Sequence, residues 1–216
     1  MTTPAELLAD ELRRDGSRPL FTYYDDATGE RVELSVATTA NWVAKTANYL
    51  SDEHGLDAGD PVGVMLPLHW QTAIVLLACW SVGAQVSFDT TGIVTFATAE
   101  TPADGEVVVL SLAPMGVDFS RLVAAQPDAF TPFDADGEDL VEAAAIDLPS
   151  GARVLTVMPY DTADALSYGL ITPLAVSGSV VQVAHPDVSS LVAHAETERV
   201  THTLGVNIDG LPRLDA

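Results

Sequence analysis

The sequence predicts an α/β fold made mostly of parallel βαβ units. Three observations carry that expectation. Short apolar runs, such as Pro61–Leu66 and Glu106–Leu112, read as buried strands. Helical patterns separate them, with apolar residues stepping by three and four, and this alternation argues for parallel βαβ connections. The chain has 216 residues, 48% of them hydrophobic, which is ample material for a buried core.

The elements follow in order. Thr3 is placed to cap a first helix, with Pro4 at its first position and Glu6 completing a capping box. Leu7, Leu8 and Leu12 form its apolar face and Gly16 ends it. Leu20–Tyr24 reads as a strand, Asp25–Gly29 as turn chemistry, and Arg31–Leu34 as the returning strand of a hairpin. Ser35 caps a long helix to about Asp52, with Val36, Ala40, Val43, Ala47 and Leu50 on one face. A strand over 61–66, an apolar helix over 69–82 closed by Gly83, and strands over 85–88 and 106–112 come next. Residues 113–150 are rich in Pro, Asp and Ala, with short helices expected near 119–125 and 139–145. Beyond them the pattern predicts strands over 153–158, 179–183 and 201–206, and helices over 162–176 and 187–198. The expected organisation is one domain over 1–216, with sub-lobes near 1–112 and 150–216 joined by an irregular acidic segment, 113–150.

Charge narrows the function. Thirty-one acidic residues against nine basic give a net charge of −22. Such a chain repels phosphate backbones and anionic lipid, so neither nucleic acid nor membrane is expected as a partner. Eight of the nine basic residues are Arg; Lys45 is the only lysine. Scarce Lys with abundant Asp and Ala suits a GC-rich genome or a salt-rich cytoplasm. Cys79 is the single cysteine, which excludes an internal disulfide and a thiolate-built zinc site. A lone thiol fits a reducing cytoplasm, the expected location. The N-terminus carries acids where a signal peptide needs bases. The apolar stretch 62–88 is broken by Pro67, His69, Gln71, Gly83 and Gln85, and reads as core rather than a span.

The order of elements, and the run Gly55-Leu56-Asp57-Ala58-Gly59-Asp60-Pro61-Val62-Gly63-Val64-Met65-Leu66-Pro67, resembles the adenylate-forming (AMP-binding) superfamily of acyl-CoA synthetases, luciferases and peptide-synthetase adenylation domains. The apolar helix over 70–82 followed by Gly83-Ala84 is similar to that family's continuation. Val157-Met158-Pro159-Tyr160, Pro173-Leu174, Gly178-Ser179-Val180-Val181 and Glu198–Val206 resemble its segments after the ATP loop. The likeness covers about 15–90 and 150–210. The chain is most like a group of short actinobacterial proteins with partial similarity to that superfamily.

The resemblance implies a phosphate loop of Ser, Thr and Gly ending in Pro-Lys, between Leu112 and Arg153. The sequence there includes Phe130-Thr131-Pro132-Phe133-Asp134-Ala135-Asp136-Gly137-Glu138-Asp139, with no Lys and no paired glycines, and four of these ten residues are acidic. Like charges ~4 Å apart repel by ~4 kcal/mol at an effective dielectric near 20. The family's adenine and ribose motifs and its C-terminal catalytic Lys are implied to lie beyond Ala216, and Asp161-Thr162 stand where the family often has a His after the Pro-aromatic pair.

The expectation is therefore a non-catalytic protein on an adenylate-forming scaffold, with no catalytic residue, cofactor or metal assigned, that binds a protein partner or a small acyl-like ligand. Tyr160, Asp161, Gly205 and Asn207 follow strand ends, where open α/β sheets place ligands, and are the candidate ligand-binding residues. The rival reading is a fragment of an ATP-dependent acyl-adenylating ligase completed by another subunit. Uncovered sheet edge and apolar surface lead us to expect a homodimer. Ala165-Leu166-Ser167-Tyr168-Gly169 mimics a nucleophile elbow, but Ser167 falls inside an expected helix rather than at a strand-to-helix turn. His194, Glu196 and Glu198 read as a solvated helix face, His69 and Trp70 as structural, and Asp25-Asp26 as turn residues.

Overall fold

The structure is a computed structural model that describes residues 2–99, 101–112, 117–133 and 148–214. The expected helix over 139–145 and residues 134–139 of the run quoted for the phosphate loop lie outside the described residues. The first helix, α1 (Pro4–Asp15), opens on the expected reciprocal box. Thr3 Oγ1 accepts from the Glu6 amide at 3.1 Å, and the Glu6 carboxylate accepts from the Thr3 amide at 2.8 Å.

Two compact units interleave along the chain. One comprises residues 1–9, 38–67 and 71–140, the other 10–37, 68–70 and 141–216. In the first, β3 (Pro61–Met65), β4 (Gln85–Ser87), β5 (Val94–Ala97) and β6 (Glu106–Val109) form a parallel sheet in the order β4-β3-β5-β6. The strand β5 was not expected. It is four residues long and follows Ser- and Thr-rich turn chemistry, yet all four residues are buried between two neighbours. Gly63 shows why a glycine interrupts β3. A Cβ there would lie 2.4 Å from the Asp89 carbonyl oxygen, so only a bare Cα permits the approach.

Three helices complete this unit: α2 (Val36–His54), α3 (Trp70–Ser81) and α4 (Val117–Val123). On α2 the residues Val43, Ala47 and Leu50 are buried, as their spacing predicts. Every residue of α3 is buried, so its apolar character runs all round and its cysteine is sealed. Burial pushes the Cys79 thiol up to about 12.

The second unit holds a six-stranded sheet in the order β10-β9-β7-β8-β1-β2. Its strands are β1 (Pro19–Asp25), β2 (Glu30–Ser35), β7 (Arg153–Thr156), β8 (Ser179–Ala184), β9 (His202–Leu204) and β10 (Arg213–Leu214). Among the described residues only the β1–β2 hairpin of this sheet is antiparallel, and its other pairings are parallel. The hairpin joins this sheet because β1 pairs with β8, which is why the units interleave in sequence. All six residues of β8 are buried, the signature of a central strand covered on both faces. Alternate residues feed two clusters: Leu155, Val181 and Val183 pack with Leu191 and Ala195, while Val154 and Leu204 pack with Leu148 and Ala152. The residues Leu191 and Ala195 come from α7 (Val188–Thr197), which Asp187 caps by accepting from the Ser189 amide at 3.0 Å.

The expected single helix over 162–176 is three pieces: α5 (Ala163–Leu166), a π-helical turn over Ser167–Ile171, and α6 (Thr172–Ala175). Thr162 caps the first piece by accepting from the Ala165 amide at 3.1 Å. The break has a local cause. In an α-helix the Gly169 carbonyl would accept from residue 173, which is a proline with no N–H. The Tyr160 hydroxyl donates to that carbonyl instead, at 3.2 Å.

Candidate functional site

The parallel strands β7, β8 and β9 run in register, Thr156 beside both Gln182 and Leu204, so their carboxyl ends lie along one edge of the sheet. The chain leaving β7 bends at once: the Met158 amide donates to Thr156 Oγ1 at 3.1 Å. That turn carries Tyr160 inward. It is 2% exposed, its hydroxyl accepting from Gln182 Nε2 at 2.8 Å while donating to Gly169. Burial raises the phenol above its ordinary range, so it stays protonated and serves as a neutral donor and acceptor.

Gly205 follows β9 with φ +78°, a left-handed conformation that glycine adopts without penalty. Its Cα sits against Met158 and Val157; an added Cβ would stand 2.4 Å from Met158 Cγ. Asp161 and Asn207 are exposed, and Asn207 Oδ1 accepts from Arg213 Nη1 at 3.2 Å. The four sequence-selected residues thus occupy the loops after β7 and β9, with Tyr160 behind the surface and the other three on it. Ser167 opens the π-helical turn in right-handed helical geometry, not on an elbow.

The sequence reading missed Gln182. Its side chain is fully buried at the heart of β8, and its Oε1 has no hydrogen-bond partner among the described residues. An amide buried with one end unsatisfied carries a desolvation cost, and such groups in native folds call for an explanation. A polar residue inside an otherwise apolar strand was the signal available for it.

The expected solvated face of α7 is corrected. Glu196 is exposed, but His194 and Glu198 are not part of a free face. His194 Nε2 lies 2.8 Å from Asp26 Oδ1, with its ring stacked on Tyr24 at 4.0 Å. Glu198 is 8% exposed and accepts from the Tyr24 hydroxyl at 2.6 Å, from Arg31 at 2.8 Å and from Arg153 at 2.6 Å. An acid-rich sequence hides which carboxylates are buried, because the partners come from distant strands. Burial pulls the Glu198 carboxyl upward, but these three donors outweigh it and hold it below its usual range.

At the end of β1 the turn acids are also engaged. Asp25 accepts from the Ala27 amide at 2.9 Å and lies 3.0 Å from His185 Nδ1. The neighbouring His69 is 2% exposed, edge-on to Tyr23 at 4.5 Å, and burial lowers it to about 4. Among the described residues no three of His, Cys, Asp and Glu converge as a metal site. No helix among them is long and apolar enough to cross a membrane.

The chain is 39% identical to the TIGR03089 family protein of Mycobacterium tuberculosis (strain ATCC 25618 / H37Rv), over 94% of its own length and all of that protein's. The chain belongs to the TIGR03089 family. Residues 8–110 of this TIGR03089 protein also match the family described as AMP-binding enzyme. Its fold is that of solved adenylate-forming proteins. The N-terminal domain of FACL13 from Mycobacterium tuberculosis aligns with TM-score 0.75 at 15% identity, over 95% of this chain and 63% of that one. An acyl-CoA synthetase from Brucella canis aligns with TM-score 0.70 at 16% identity, over 94% of this chain and 47% of that one. The TIGR03089 chain thus spans about half to two-thirds of those structures, and the resemblance read from the sequence holds at the level of the scaffold.

Proposed function

We propose that this TIGR03089 protein is a non-catalytic binder that takes a small acyl-like ligand at the carboxyl edge of β7, β8 and β9. The observation that carries the reading is the buried set Tyr160–Gln182–Gly169 behind that edge, with one end of the Gln182 amide unsatisfied beside a π-helical turn. Turns of that kind recur at functional sites, and open α/β sheets bind ligands beyond their strand ends. Asp161, Gly205 and Asn207 form the outer rim, where exposed polar groups select a ligand and Gly205 keeps the backbone approachable. The absence of Lys and paired glycines from 113–150 favours binding without adenylation.

The test is calorimetric titration with Mg-ATP and, separately, with a neutral acyl thioester, hexanoyl-N-acetylcysteamine. Saturable heat with the thioester, weakened by Asn207→Ala and Asp161→Ala, and none with Mg-ATP is the expected result. Saturable Mg-ATP binding overturns it and promotes the ligase fragment completed by another subunit. Silence from both ligands overturns small-molecule binding at this edge and leaves a protein partner.

A homodimer belongs to the same proposal. Met65 and Val109 flank Ala97 in register and are 42% and 39% exposed, an apolar row that pairing would cover. Light scattering that reports a monomer at tens of micromolar ends that part.

A further inference from the structure

The first unit contains a cavity of about 310 Å³ between α2 and α4, lined by Asn41, Trp42, Lys45, Ser120, Val123 and Ala124. Its wall is firm. The Trp42 ring stacks on Phe119 with centroids 5.3 Å apart and planes 10° from parallel. Asn48, one turn along α2, donates to the Pro127 and Ala129 carbonyls at 3.0 Å and ties the segment after α4 to the helix.

The chemistry of this cavity turns on Lys45. The chain has 31 carboxylates for nine bases, and its largely buried arginines use them: Arg18 has Glu11 at 2.6 Å and Arg153 has Glu198 at 2.6 Å. Lys45 is half-buried as well, yet among the described residues no carboxylate lies within 4 Å of it. Among the described residues its one hydrogen bond is donated to the Gln126 carbonyl, at 2.6 Å. An ammonium carries three donors, so one carbonyl leaves it two with which to meet an anion. Around it lie the Trp42 side chain, a buried valine and the short polar side chains of Thr38, Asn41 and Ser120. This is the composition of a small-ligand site: mostly apolar walls with a few placed polar groups, and a volume at the small end of the usual range.

We infer that this cavity binds a small monocarboxylate with an aromatic or apolar body, its carboxylate paired with Lys45 and its body against Trp42 and Val123. A single ammonium beside apolar walls suits one negative charge better than a phosphate, which needs several donors. It shares no residue with the strand edge proposed above, which is why the neutral thioester serves there and a carboxylate serves here.

Because Lys45 is the only lysine, protein grown with ¹³C,¹⁵N-lysine reports it alone. Titration of the full chain with benzoate at physiological salt, against chloride at matched ionic strength, is expected to move the Lys45 Cε–H signal saturably. Benzamide, the neutral analogue, is expected to leave it in place. Lys45→Met is expected to weaken benzoate binding about tenfold or more by ligand-observed NMR, the loss of one charge-assisted bond, with Lys45→Arg retaining part of it. Ala124→Phe, an exposed position at the mouth, is expected to block binding and to leave the fold intact. A Lys45 signal that stays fixed overturns the proposal, as does equal binding of benzoate and benzamide. So does unchanged benzoate binding by Lys45→Met or, where that variant does not fold, by Ala124→Phe. In those outcomes Lys45 serves only to hold the Gln126 carbonyl.

Discussion

Arg153 Nη2 donates to Glu198 Oε2 at 2.6 Å, and both side chains are largely buried, 15% and 6% exposed. Arg153 also donates to Thr22 at 2.8 Å and to Ser179 at 3.0 Å, so β7 contributes the cation that ties β1 and β8 to the residue ending α7. Removing one partner of such a pair strands the other charge. Glu198→Ala is therefore expected to cost about 3–5 kcal/mol, with Glu198→Gln costing less because it still accepts hydrogen bonds. Urea unfolding checks this. A loss below about 1 kcal/mol for the alanine variant would place the cluster among pairs of negligible net worth.

Acid should unfold the protein in two stages with different owners. His69 is lowered from 6.5 to about 4 by burial, so the unfolded chain takes up a proton that the folded chain refuses. Its contribution is complete above 6.5 and is lost as the pH falls toward 4, with a slope of up to ~1.4 kcal/mol per pH unit. Glu198 is a carboxyl held below its usual range, so its contribution is present above that range and is lost only at lower pH, through its folded value. His69→Gln should flatten stability against pH between 6.5 and 4, and Glu198→Gln should flatten it below. Parallel curves for wild type and His69→Gln across the upper window would refute the first assignment.

These groups show what was legible in the sequence. Local signals translated directly: the Thr3–Glu6 box, the β1–β2 turn and the α2 face depend on residues a few positions apart. The strand β5 escaped because four residues give too short a period to read, and its burial comes from neighbours on both sides. The π-helical turn was half legible. Pro173 marks the broken bond, but only the fold brings the Tyr160 hydroxyl to Gly169. The candidate residues Tyr160, Asp161, Gly205 and Asn207 could be placed after strands by pattern. Gln182 stood out only as a polar residue in an apolar strand, and its partner and those of Glu198 could not be read, since they lie 22 or more positions away.

Gly205 offers a sharp test of the strand-edge geometry. Its φ of +78° and the 2.4 Å approach to Met158 Cγ oppose a side chain by two separate means. The left-handed conformation alone costs a non-glycine residue about 1–2 kcal/mol, while Met158 is flexible enough to yield. Gly205→Ala is expected to lower stability by about that amount, and Gly205→Ala with Met158→Ala is not expected to restore it, because the backbone penalty remains. Full rescue by the double variant in thermal melts would mean that crowding, not φ, makes this glycine necessary.

Salt should stabilise the protein, although salt bridges are among its contacts. Two effects oppose each other. Added ions weaken pairs such as Arg31–Glu33, whose side chains are 44% and 42% exposed, and exposed pairs of this kind are worth only about 0–1 kcal/mol each. The pairs around Glu198 and Glu11 are buried on the acid side, and buried pairs are screened far less. Against those small losses stands a net charge of −22, whose self-repulsion is spread over the whole chain. The screening length falls from ~10 Å at 0.1 M to ~3 Å at 1 M salt, short enough to silence repulsion between most neighbouring acids. Repulsion outnumbers attraction, so the melting temperature is expected to rise steadily with sodium chloride, and most steeply below 0.1 M, about where screening first reaches between acids. A flat or falling melting temperature would show that the acids are already offset by the paired arginines, and that the charge excess costs the fold nothing.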